Sequence, residues 1–76
     1  MKVFLSDIEN VTRSSLSQRR LDDLLNGYSS FEQVLNSSSD PIALDCSSKP
    51  YQIIDGRHRI YLARKKGYTF VEVKCV

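Results

Sequence analysis

The sequence predicts an α+β fold, a small mixed β-sheet packed with helices, in the order β-α-α-β-β-α-β. Three observations carry it. Short strand-like apolar runs occur at "KVFL", "PIALDC", "YQIID" and "YTFVEVKCV". Between the first two, and again after "YQIID", apolar residues fall at helical spacing. A length of 76 residues has room for one domain, residues 1–76, with one core. A mixed sheet covered by helices buries those faces together.

Lys2 to Leu5 reads as the first strand, followed by the polar connection "SDIENVTR". In "SSLSQRRLDDLLNGY", Leu21, Leu24, Leu25 and Tyr28 make one apolar stripe, Ser15 and Gln18 have capping-box spacing, and Gly27 supplies a stop. Ser30 and Gln33 repeat the box before a helix of two turns at most, with Phe31, Val34 and Leu35 as its buried face. Ser37 to Ser39 form a loop. Ile42 and Leu44 alternate in the second strand, and after "SSKP" Pro50 suits the first residue of the third, where no ladder donor is needed. A helix from Arg57 to about Lys66 has Ile60, Ala63 and Gly67 on one face. The last strand alternates Val71, Val73 and Cys75 against Glu72 and Lys74.

With 41% apolar and 26% charged residues the chain falls in the ordinary globular range. It has no signal-like or membrane-spanning run, so a cytoplasmic protein without a membrane partner is expected. Cys46 and Cys75 lack CxxC or Cys/His spacing, which leaves zinc unsupported. Free thiols are expected, since a disulfide needs the fold to bring the two together.

The net charge of +2 is unevenly distributed: residues 1–48 carry four basic and seven acidic side chains, and residues 49–76 carry seven and two. An anion would therefore be sought in the second part, at "IIDGRHRIYLARKKG". There a strand ending near Asp55 passes through an Asp-Gly turn straight into a helix, whose first N–H groups and positive dipole end suit an anion. Arg57, His58 and Arg59 add side-chain donors, and Arg can grip a phosphate bidentately. Cations at a helix start oppose the dipole by about 0.3–1 kcal/mol each, so a sequence selected for helix stability alone would place acids there. The alternative is a solvated face, or salt bridges to Asp22, Asp23 or Glu32. Arg64, Lys65 and Lys66 sit in the last turn, where cations favour the dipole.

"PIALDCSSKPYQIIDGRHRIYLARKKGYTFVEVKCV", residues 41–76, resembles the C-terminal portion of the ParB/sulfiredoxin-like nucleotide-binding fold. The matching order is a Pro-Ile strand, a turn, a strand ending in an acidic-Gly pair, a basic helix start with Arg-x-x-x-Ala, a Gly and a Val-rich strand. Residues 1–40 fit in outline. The resemblance implies phosphate contacts from Gly56, Arg57, His58 and Arg59, with Asp55 orienting a basic side chain or holding a nucleotide-borne Mg²⁺. Arg57 stands where sulfiredoxins carry their reactive cysteine, so sulfinic acid reduction is not expected. No helix-turn-helix follows before Val76, so operator binding by the usual family route is not expected either. A serine-kinase-like reaction would need an acidic base, and nothing in the spacing selects Glu9 or Glu32.

The resulting expectation is a module that binds a nucleoside triphosphate or diphosphate, with His58 or a nearby carboxylate as the candidate acid or base should it also transfer or hydrolyse phosphate. The alternatives are a DNA or single-strand binder or nuclease, with Tyr51, Tyr61 and Tyr68 as stacking surfaces or merely as half-buried packing, and a regulator that docks on a protein partner, of the kind a plasmid or phage accessory protein would be.

Overall fold

The computed structural model describes residues 1–27 and 30–76. The strands are β1 (Lys2–Phe4), β2 (Ile42–Asp45), β3 (Gln52–Asp55) and β4 (Phe70–Cys75), and the helices α1 (Gln18–Asn26), α2 (Phe31–Leu35) and α3 (Arg57–Lys65). Short 3-10 turns at Leu5–Asp7 and Arg13–Ser15 precede α1. The chain order is the one the periodicities predict.

The four strands lie in the order β1-β4-β2-β3. β4 runs antiparallel to β1 and parallel to β2, and β2 and β3 form an antiparallel hairpin. A parallel β2–β4 pair needs a long crossover, which β3 and α3 supply. Val3, Ile42, Leu44, Ile53, Val71 and Val73 of the sheet meet Leu35, Ile60 and Ala63 of the helices in one core. Leu16, Leu21 and Leu62 form a second cluster that ties α1 to α3. Period-two alternation puts Phe70, Glu72 and Lys74 of β4 on the other side, where they are exposed.

Residues 7–9 close the β3 edge. Tyr51 N donates to Asp7 O (2.8 Å) and Glu9 N to Tyr51 O (2.9 Å), beside a parallel bridge between Ile8 and Tyr51. The Glu9 carboxylate accepts the next edge donor, Ile53 N, at 2.6 Å. Glu9 thus answers a backbone group of the strand that leads to Asp55.

Several local expectations change. The box at Ser30 and Gln33 forms, with both reciprocal hydrogen bonds. The one at Ser15 and Gln18 does not: Ser15 Oγ donates to Thr12 O inside the 3-10 turn, and α1 begins after Ser17. Of the leucine stripe, Leu21 is buried, Leu24 is half-buried and Leu25 is exposed, because α1 rests on α3 by a narrow seam. Tyr28 lies outside the described residues. Pro50 lies in the turn ahead of β3, which begins at Gln52.

Cys46 and Cys75 are not free thiols but a disulfide. Parallel pairing sets Leu44 opposite Cys75, and Cys46 lies two residues further along with its Cα 5.5 Å from that of Cys75. The pairing depends on the crossover, which no local spacing announces.

Candidate functional site

β3 delivers Asp55 to the edge of a cleft and Gly56 turns the chain into α3. Gly56 has φ 115°, the left-handed region, and a Cβ there would lie 3.0 Å from Ile42 Cγ1. Any side chain would be strained and would push on the core. No side chain caps α3 and no acid stands in its first turn. The intrahelical ladder opens with Ile60 N donating to Gly56 O at 3.0 Å, so the N–H groups of Arg57, His58 and Arg59 come before it.

The three side chains that follow behave differently. Arg57 is exposed. His58 is half-buried, and its Nε2 accepts the Ser17 N–H at 3.0 Å, which makes it the neutral tautomer protonated on Nδ1. Burial, then the charges of Arg20 and Arg13, hold its pKa below the ordinary 6.5. The imidazole links the starts of α1 and α3.

Arg59, expected as a side-chain donor to an anion or as part of a solvated face, is instead buried, with only 7% of its surface accessible. Its Nη1 donates to Asp40 O (2.6 Å) and Val34 O (3.4 Å), and Nη2 stands 4.0 Å from the Asp40 carboxylate. The guanidinium is held against the loop between α2 and β2. Among the described residues, Arg57, His58 and Arg59 make no ion pair with Asp22, Asp23 or Glu32.

Two adjoining depressions flank the start of α3. One, of about 230 Å³, is bounded by Asp55, Gly56, His58 and Arg59 on one side and by Arg20, Asp23, Leu24 and Asp40 on the other. A smaller one, of about 140 Å³, has Arg57, His58, Gly56 and Asp55 with Ser15, Arg20 and Ile54. All five residues singled out in the sequence thus border one continuous surface. Arg20 of α1, which borders both depressions, was missed, since nothing in "QRRLDD" separates it from a solvated helix position. Asp40 was also not expected in this cleft; Asp23, named as a possible salt-bridge partner of the basic helix start, borders it without forming that bridge among the described residues.

The surface has two chemical sides. Arg20 and Arg57 with the free N–H groups and the neutral His58 imidazole make a basic side; Asp23, Asp40 and Asp55 make an acidic one. Among the described residues no group of three His, Cys, Asp or Glu side chains is placed to hold a metal ion.

Arg64 does more than favour the helix dipole. Its Nη1 donates to Glu9 O (3.0 Å) and its Nη2 to Leu5 O (2.9 Å) and Ile8 O (2.7 Å), which fixes the N-terminal segment beneath α3. Tyr51, Tyr61 and Tyr68 are all half-buried against the two cores. Tyr68 meets Phe31 edge to face, with ring centroids 5.9 Å apart. No helix among the described residues is long and apolar enough to cross a membrane. Comparison with protein-family models, with curated proteins and with solved structures finds no match to this chain.

Proposed function

We propose that this chain is a nucleotide-binding module of ParB/sulfiredoxin-like type that takes the phosphates of a nucleoside triphosphate or diphosphate at the start of α3. The observation that carries this reading is a helix opened by a positive-φ glycine, with no capping side chain and only basic residues in its first turn. The dipole cost of an exposed cation there is about 0.3–1 kcal/mol. One charge-assisted hydrogen bond to a phosphate returns about 1.5–3 kcal/mol, so a bound anion reverses the balance. The motif in residues 41–76 points to the same junction.

In this reading the N–H groups of Arg57, His58 and Arg59 and the guanidinium groups of Arg57 and Arg20 contact phosphate oxygens. Arg59 is a positioning residue, since Asp40 and Val34 already hold Nη1. Asp23 and Asp40 face the end of the cleft where ribose hydroxyls or an exocyclic amine would donate. At about 230 Å³ the cleft is smaller than the roughly 300–1,000 Å³ of pockets that enclose a whole ligand. Phosphates and part of the sugar would be held, and the base would remain largely in solvent. His58 would act as acid or base only after releasing the Ser17 N–H, and no turnover is assigned.

The test is calorimetric titration with CTP, ATP, ADP and a short single-stranded oligonucleotide, with and without Mg²⁺, at two salt concentrations. Saturable binding of a mononucleotide that survives moderate salt and weakens in Arg57→Ala is the expected result. Binding of the oligonucleotide alone, fading with salt, would replace this reading with a nucleic-acid surface. No binding of either would leave a protein-docking module.

A further inference from the structure

The sheet face opposite the helices carries a second feature, at the corner where β1 meets β4. Phe4 and Phe70 are 58% and 45% exposed and stand directly opposite each other across the two strands. One step along, Lys2 stands opposite Glu72. Backbone bonds join Leu5 N to Thr69 O and Val73 N to Met1 O, so the Phe4–Phe70 and Lys2–Glu72 pairs occupy the intervening positions without mutual bonds, where side chains come closest. An apolar depression of about 230 Å³ opens here among Lys2, Val3, Phe4 and Phe70.

Lys2 and Glu72 form no ion pair with each other among the described residues. The Lys2 ammonium lies 4.7 Å from the centre of the Phe70 ring, and Glu72 contacts the terminal amine at 3.2 Å. Two aromatic rings and two opposite charges therefore face solvent side by side. Helices cover the other face only.

We propose that this corner is a self-association surface and that its occupant is a second copy of the same chain, packed sheet against sheet. The arrangement of the pairs argues for it. A two-fold axis lying in the interface, parallel to the strands and midway between β1 and β4, places β1 of one copy over β4 of the other. The same operation sets Phe4 over Phe70 of the second copy and Lys2 over its Glu72. Apolar meets apolar and each charge meets its opposite, twice, as an isologous contact requires. A polyanion is a poorer fit, because Lys2 and Lys74 on this face are offset by Glu72 and Asp45. The contact involves one corner of a four-stranded sheet, so it belongs with the small, reversible interfaces rather than the obligate ones. It lies away from the α3 cleft and is independent of nucleotide binding.

Sedimentation velocity of the full chain over a wide concentration series tests the proposal. The wild type is expected to show a concentration-dependent dimer, and Phe70→Ser to weaken it by about tenfold or more. Lys2→Glu and Glu72→Lys should each weaken association several-fold by creating like-charge contacts, and the double exchange should restore it. Should Phe70→Ser fail to fold, the two charge variants, at exposed positions outside the core, decide the matter alone. A wild-type monomer at every concentration would overturn the proposal, whether or not the face captures an oligonucleotide or a peptide. A double exchange no better than the single ones would do the same.

Discussion

Arg59 and Arg64 turn into the molecule from α3, whereas Arg57, on the same helix, stays in solvent with His58 beside it. The inward pair reach backbone carbonyls far away in sequence: Val34 and Asp40 for Arg59, and Leu5, Ile8 and Glu9 for Arg64. Among the described residues the outward pair meet no acidic partner, and they border the two depressions. A count of basic residues therefore overstates the anion site, because a guanidinium with five donors also serves to join segments that no strand or helix connects. The remaining pair marks the edge where the phosphate site is proposed.

Arg64 offers the strongest way to break this contrast. Arg64→Ala removes the side-chain donor from three carbonyls, of which Leu5 O keeps the Ile8 N–H, and should lower unfolding free energy by about 2–4 kcal/mol, read from urea titration. Arg64→Lys should recover only part, since an ammonium cannot span the same fork. Arg59→Leu strips two carbonyls and should cost about 1–3 kcal/mol. If instead its stability is unchanged and nucleotide affinity disappears, Arg59 belongs with the outward group and the contrast fails.

Arg57→Ala sharpens the other side. Stability should change by less than about 0.5 kcal/mol. The dissociation constant for a bound nucleotide should rise about tenfold or more, the equivalent of one lost charge-assisted contact.

His58 gives the smallest effect, and its sign is fixed. Its folded pKa is held below 6.5 by burial and by Arg20 and Arg13. As pH falls the unfolded chain takes up the proton first. The contribution is complete above about 6.5 and is lost as pH falls through the folded value. Protonation also replaces the acceptor of the Ser17 N–H by a donor. The slope of stability against pH in that range should flatten in His58→Gln, as measured by thermal unfolding at a series of pH values.

Element order was legible because each strand and helix carries its own period, and Ser30 with Gln33 marked a true cap. The Asp55–Gly56 junction was legible for a similar reason, since a left-handed turn between strand and helix needs glycine. What escaped was set by distant chain. Ser15 has the spacing of a cap but is drawn into a 3-10 turn with Thr12. The burial of Arg59 depends on carbonyls 19 and 25 residues away. Arg20 reaches the cleft only because Leu16, Leu21 and Leu62 dock α1 onto α3. The cysteine pair lies 29 residues apart and meets through a parallel strand pair that local pattern does not encode.

That cysteine pair divides the molecule in a way the layers of the fold do not. The covalent link turns residues 46–75 into a closed ring that contains β3, α3 and β4, and hence Asp55 through Arg59. By loop length alone such a ring removes about 3–4 kcal/mol worth of disorder from the unfolded chain. Residues 1–45 are a long arm wrapped around it, clasped by Arg64, by His58 at Ser17, and by the strand pairings of β1 and β2 with β4. β3 and β4 find their strand partners in the arm, β2 for both and β1 for β4, and Gly56 packs on Ile42 of the arm, so ring and arm hold the helix start only together. Arg20, Asp23 and Asp40 come from the arm and Asp55, Arg57 and His58 from the ring, so each side of the cleft draws on both pieces and the cleft exists only while the arm is closed.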